Sequence, residues 1–286
     1  MRNLIIFIFI FLLPVSKTFA GSSTIVASIN PIYQIILSIS GGLDEVVLII
    51  DPNFSEHNYY LKKSDLSNFK KAKIIFYVDD LLENNFVKLI HASNLNFKSY
   101  QLSKIKNLKL IYNNNQYDKH IWLNLDNAIL IADFIKLKLC KINSDNCSFY
   151  KKNFDKFKKE LVEFSEINQK KLLNYSQNNF IFYHSSIVYF EDYFHLKSGL
   201  KMVSNNHSEI KIKDYKAIEN LLKNNQIKCI FADNHDERNA SKRMANKHNI
   251  DFRSLDIIGK KSYDSGKNGY LLIIEELIKD FTDCLK

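Results

Sequence analysis

The sequence predicts an α/β fold of two lobes, each with a small parallel sheet flanked by helices, joined by one long connecting helix. Three observations carry this. Short β-branched runs alternate with helical periodicity, the pattern of parallel strands and crossover helices. From Phe149 to Tyr175 there is no glycine or proline, and Tyr150, Phe154, Phe157, Leu161, Phe164 and Leu172 fall at three-and-four spacing. That stretch reads as one amphipathic helix of roughly 40 Å at 1.5 Å per residue. Strand–helix units stand on both sides of it, so it connects two lobes.

The chain opens on a leader. Arg2 precedes an apolar run from Leu4 to Val15, followed by Ser16, Lys17, Thr18, Phe19 and Ala20. A positive start, about a dozen apolar residues and small residues at the −3 and −1 places describe a secretory signal cut between Ala20 and Gly21. A membrane span needs about 20 apolar residues, more than this run supplies. No cysteine follows the cut to take a lipid. The expectation is a soluble, monomeric periplasmic protein of about 266 residues, long enough for two lobes with ample cores. Residues 1–20 are then the signal peptide, 21–146 the first lobe, 147–177 the linking helix and 178–286 the second lobe.

Strand signals lie at Thr24–Ser28, Glu45–Ile50 and Lys73–Val78 in the first lobe, and at Phe180–Tyr183, Lys228–Ala232 and Asp251–Leu255 in the second. Helical periodicity fills the gaps at Ile32–Ser40, Ser64–Lys71, Leu125–Leu139, Ala217–Asn224, Ala240–Lys247 and Lys267–Leu285. Ser64 suits an N-cap, and Asp65 behind it suits the positive end of the helix dipole.

The formal charge of +9 becomes +7 once Arg2 and Lys17 leave with the leader. Lysine is spread along polar helix faces, without the interleaved aromatics of a nucleic-acid surface, so no nucleic-acid partner is expected. With only seven glycines, glycine-rich phosphate loops are absent, and nucleotide binding with them. Cys140, Cys147, Cys229 and Cys284 form an even set without a Cys-x-x-Cys pair, which in an exported chain indicates two disulfides. The sequence-local pairing is Cys140–Cys147 with Cys229–Cys284; two other pairings stay open.

Three of the eight histidines stand where strands or loops end: His57 after the second strand, His120 before a helix, and His184 directly after Phe180–Tyr183. Asp256 ends the last strand. Open α/β sheets bind ligands outside the carboxyl ends of their strands, so these four groups can meet in one cleft, two from each lobe. Three imidazoles and a carboxylate make a tetrahedral set suited to zinc. His91, His195, His207, His235 and His248 read as surface or hydrogen-bonded residues.

These motifs carry a resemblance. Glu56-His57-Asn58-Tyr59, running on to Ser64-Asp65, is similar to the first metal-binding motif of the zinc-uptake binding proteins of ABC transporters (ZnuA type). Asp118-Lys119-His120-Ile121-Trp122-Leu123 resembles that family's Asp-Pro-His-x-Trp-Leu, with Lys119 for the proline. His184 followed by Tyr189-Phe190 resembles its Phe-His-Asp-x-x-x-Tyr-Phe, with Ser185 for the aspartate. Leu255-Asp256 matches its last acidic position, and Cys229 with Cys284 looks like a disulfide found in some members.

The resemblance implies that His57, His120 and His184 ligate a transported Zn(2+), with Asp256, Glu56 or a water in fourth place. It also implies delivery to an ABC transporter permease in the inner membrane, with no enzymatic activity. The loop Asn113–Tyr117, histidine-rich in many members, is short here and has no histidine. Manganese-binding relatives carry a glutamate at the position of His184, whereas three neutral imidazoles favour zinc. The alternatives are a manganese- or iron-binding protein of the same family, a zinc hydrolase with Glu56 as base, and an adhesin.

Overall fold

The computed structural model describes residues 24–54, 59–60, 62–113, 115–184, 186–203, 212–223, 227–233, 239–263 and 268–286. Residues 1–23, with the expected leader, lie outside them, as do Glu56, His57, Ser185, His207 and His235.

The first sheet is built from β1 (Thr24–Ala27), β2 (Glu45–Leu48), β3 (Ile74–Tyr77) and β4 (Ser99–Gln101), in the order β2-β1-β3-β4. Every pairing is parallel, with Ile25 facing Val46 on one side and Ile74 on the other. The crossovers are α1 (Asn30–Ser40), α2 (Lys63–Lys71) and α3 (Asn84–Ala92). A short hairpin, β5 (Tyr112–Asn113) with β6 (Gln116–Tyr117), then leads to α4 (Leu125–Ile142). The second lobe repeats the plan with β7 (Phe180–Phe182), α6 (Val188–Tyr193), β8 (Leu200–Lys201), α7 (Ile212–Lys223), β9 (Cys229–Asp233), α8 (Asn239–His248) and β10 (Asp251–Leu255). Its sheet is also parallel, in the order β10-β9-β7-β8. The chain closes on α9 (Gly269–Leu285).

Between the lobes runs α5 (Cys147–Leu172), 26 residues long, about 39 Å at 1.5 Å per residue. Its last expected turn, Leu173–Tyr175, tightens into a 3-10 helix. The buried stripe Tyr150, Phe154, Phe157, Leu161 and Leu172 follows the expected period. One end is fixed to the first lobe: the Tyr150 hydroxyl donates to Asp44 (2.7 Å) and Asn153 Nδ2 donates to the Ile39 carbonyl (2.9 Å). There α1 stops on Gly41 at φ 61°, and a Cβ at Gly41 would lie 2.5 Å from Asn153 and 2.6 Å from Phe149. Glycine serves both the left-handed turn and the close approach. Towards the other end, Phe157 meets Tyr270 of α9 at 5.9 Å, and Ser165 bonds the Tyr193 hydroxyl at 2.7 Å.

The long helix is not the sole junction. Asn30 Nδ2 donates to the carbonyls of Ile258 (3.0 Å) and Gly259 (2.6 Å), and Gln34 Nε2 donates to the Ser262 carbonyl (3.0 Å). Both amides are fully buried, so the segment after β10 is seated on α1. Burial of the core is continuous across this junction, from Ile25 and Ile32 through Tyr270 and Ile274. Both expected disulfides are present: Cys140–Cys147 closes the turn between α4 and α5, and Cys229–Cys284 ties β9 to α9.

The start of α2 departs from expectation. The helix begins at Lys63, and the Asp65 carboxylate reaches back to accept the Lys62 amide at 2.7 Å. Ser64 is therefore inside the first turn and not the cap; a carboxylate satisfies the exposed donor and meets the helix dipole at once. Sequence periodicity misses β4, β8, α3, α6 and the hairpin. Among the described residues, no helix is long and apolar enough to cross a membrane.

Candidate metal centre

His120 and His184 come together from opposite lobes. His120 sits in the turn before α4, held by the Asn124 cap, whose side chain accepts the Asn127 amide at 3.0 Å. His184 follows β7 at the carboxyl edge of the second sheet. Each is 4% exposed, and their ring centroids lie 6.1 Å apart. With Zn–N bonds of about 2.1 Å, rings sharing one tetrahedral ion have centroids roughly 5–6 Å apart. The observed separation stands just above that range, so a shared ion would draw the two rings slightly together.

Each ring is oriented by a carboxylate. Asp118 Oδ1 accepts the His120 backbone amide at 2.9 Å and faces Nδ1 of the same residue at 2.8 Å. His184 Nδ1 lies 3.3 Å from Asp233 Oδ2, at the end of β9. A carboxylate on Nδ1 selects the neutral tautomer whose lone pair is on Nε2, the arrangement that orients metal-ligating histidines. Burial works to raise the Asp118 carboxyl, but His120 through charge and hydrogen bonds, with His184 beyond it, holds it below the usual carboxylate range.

The His120 segment is also braced from beneath. Asp79, just past β3, accepts from the Tyr117 hydroxyl and from Ser103 Oγ (2.7 Å) and Gln101 Nε2 (3.0 Å). Burial pushes the Asp79 carboxyl up, but Tyr117, the Leu81 amide, Ser103 and the charge of Lys119 hold it below its ordinary value. The Trp122 indole N–H donates to the Ile257 carbonyl at 3.0 Å.

Of the other expected site residues, Glu56 and His57 lie outside the described residues. Asp256 stands in the turn after β10, where Oδ1 accepts the Gly259 amide at 2.8 Å. Among the described residues no group of three or more His, Cys, Asp or Glu side chains is arranged to hold a metal; the two imidazoles are the described half of the candidate centre. Sequence reasoning gave no role to Asp118 or Asp233. Asp118 was visible two residues before a candidate ligand. Asp233 stands one residue past the strand signal Lys228–Ala232, at the end of β9 beside β7. It supplies a carboxylate to His184, where the related motif has an aspartate and this chain has Ser185.

Two parallel α/β lobes, joined by a long helix and meeting at a buried histidine pair, have the layout of a solute-binding protein. Residues 25–284 match the model of the ZnuA family, described as zinc-uptake complex component A, periplasmic, and the chain belongs to that family. It is 23% identical to the high-affinity zinc uptake system protein ZnuA of Brucella abortus, over 93% of this chain and 95% of that one. A crystal structure of ZnuA superposes with a TM-score of 0.78 at 21% identity, covering 91% of this chain and 99% of the other. A manganese-bound periplasmic metal-binding protein from Candidatus Liberibacter asiaticus, an S38A mutant, superposes with 0.77 at 18% identity, covering 93% and 100%. Family and fold neighbours are substrate-binding proteins and not enzymes.

Proposed function

We propose that this protein captures one Zn(2+) in the crevice between its lobes, outside the inner membrane, and delivers it to an ABC permease. The reading is supported above all by the buried His120–His184 pair, drawn from different lobes with a carboxylate on each Nδ1. A purely structural histidine pair has no need of two oriented lone pairs at ion-sharing distance. His57 is the third ligand in this proposal, carried by the match of its motif. Asp256 is the preferred fourth, with Glu56 or water behind it. The Trp122–Ile257 bond runs the chain beside Asp256 along the chain beside His120, which favours Asp256. The leader of residues 1–20 supports export and cleavage.

Imidazole nitrogen selects zinc over the harder manganese ion, and His184 is the residue on which that choice rests. Calorimetric titration of metal-stripped protein should show one zinc site; binding no tighter than micromolar would end the proposal. In metal content after purification without chelator, His184→Glu should shift occupancy from zinc towards manganese, and unchanged zinc would remove the selectivity argument.

A further inference from the structure

We infer that Tyr189 is a positioning residue that sets the distance between His120 and His184 across the lobe boundary. The inference rests on the metal-capture reading and deepens it. Tyr189 is fully buried on α6, five residues beyond His184 in the same lobe. Its hydroxyl reaches into the other lobe, donating to the Asp118 carbonyl at 2.8 Å and accepting the Ile111 amide at 3.2 Å. Asp118 in turn holds both the amide and the ring of His120. The route from one imidazole to the other is thus a closed circuit: His184, the first turn of α6, the Tyr189 phenol, Asp118 and His120.

Other contacts among the described residues fix the same segment at places farther along the chain from His184. Asn127 takes both backbone groups of Lys109, and Asp79 takes Tyr117, all within the first lobe. Trp122 to Ile257 and Tyr270 to the Trp122 carbonyl (2.5 Å) reach the second lobe at the end of β10 and at α9. The pair Lys109–Asp192 at 2.6 Å spans the same gap at the surface, where solvent screens it. Among the described residues, the Tyr189 phenol is the buried hydrogen-bonding group that runs from the stretch after His184 into the other lobe, in a site where small displacements of a ligand reduce affinity.

Zinc affinity is measured for the wild type, Tyr189→Phe, His120→Ala and the double variant. Phenylalanine keeps the ring and deletes both bonds, and a weakening of about tenfold is expected, the scale of an outer-shell lesion at a metal site. Because the effect acts through His120, it should vanish in the His120→Ala background. An equal loss in both backgrounds, or no loss in the wild type, overturns the inference. A metal-free readout separates this from the capture reading. In nitrogen-15 spectra of the apo protein, Tyr189→Phe should move the His120 ring signals and leave exposed His195 in place. Moved signals in a protein that binds no zinc would sustain the positioning role and sink capture; unmoved signals in a protein that binds zinc would do the reverse. Should Tyr189→Phe not fold, Tyr189→Met, which also lacks the hydroxyl, takes its place in the double-variant comparison, where additivity would again overturn the inference.

Discussion

Replacing Asp118 or Asp233 by asparagine tests the centre where the structure adds most to the sequence. Each substitution keeps the side-chain shape and removes the negative charge that faces an imidazole Nδ1. Outer-sphere partners of metal-bound histidines are worth about 10- to 100-fold in metal affinity, or about 1.4–2.7 kcal/mol. The geometry ranks the two. Asp118 lies 2.8 Å from His120 Nδ1 and also accepts the His120 amide, whereas Asp233 lies 3.3 Å from His184 Nδ1. Asp118→Asn should therefore approach the hundredfold loss and Asp233→Asn stay near tenfold. Competition against a chromophoric zinc chelator at neutral pH reads both values on one scale. If both variants bind zinc as the wild type does, the carboxylates do not orient metal ligands. If Asp233→Asn is the worse of the two, the ranking by geometry fails.

Four further outcomes are expected. Burial raises the carboxyls of Glu83 and Glu191 from 4.5 to about 7. The folded state then holds protons that the unfolded chain releases, and stability should fall as pH rises from about 4.5 through about 7; urea unfolding across that range checks it, and a rising trend would refute it. Breaking Cys229–Cys284, which encloses 55 residues, should cost about 4 kcal/mol against about 2 for Cys140–Cys147, separated by 7, in the chain-entropy model; calorimetric melting of the two double-serine variants reads the order. Gly41→Ala should destabilise by about 1–3 kcal/mol, since it combines φ 61° with a clash against α5, and an unchanged melting temperature would count against that packing. The buried contacts of Asn30 and Gln34 reinforce the long helix, so small-angle scattering should show little change in overall size on adding zinc; a large compaction would show that the lobes hinge.

The alternation of strands and helices, the connecting helix, the presence of two disulfides and the positions of His120 and His184 at element ends were legible in the sequence, while the choice among cysteine pairings was settled by the fold. These are properties of local pattern: periodicity, chain direction and residue type near a strand end. Strands of two or three residues such as β8 and β4 carry too few positions to show a period, and the single turn and a half of α6 carries scarcely more. Asp65 displaced Ser64 at the head of α2 because a carboxylate from inside the first turn reaches the open amide.

What the chain alone determined was which residues have ligand chemistry and roughly where each strand presents them. Only the tertiary structure decided their partners: Asp233 beside His184 through the pairing of β9 with β7, and Tyr189 beneath Asp118 through the meeting of the lobes. The physical reason is that the pairs His184 with Asp233 and Asp118 with Tyr189 stand 49 and 71 residues apart in the chain, and such distances close only when strands pair and lobes dock. Seating the turn after β10 on α1 likewise joins residues 228 or more apart, a contact that no local pattern encodes.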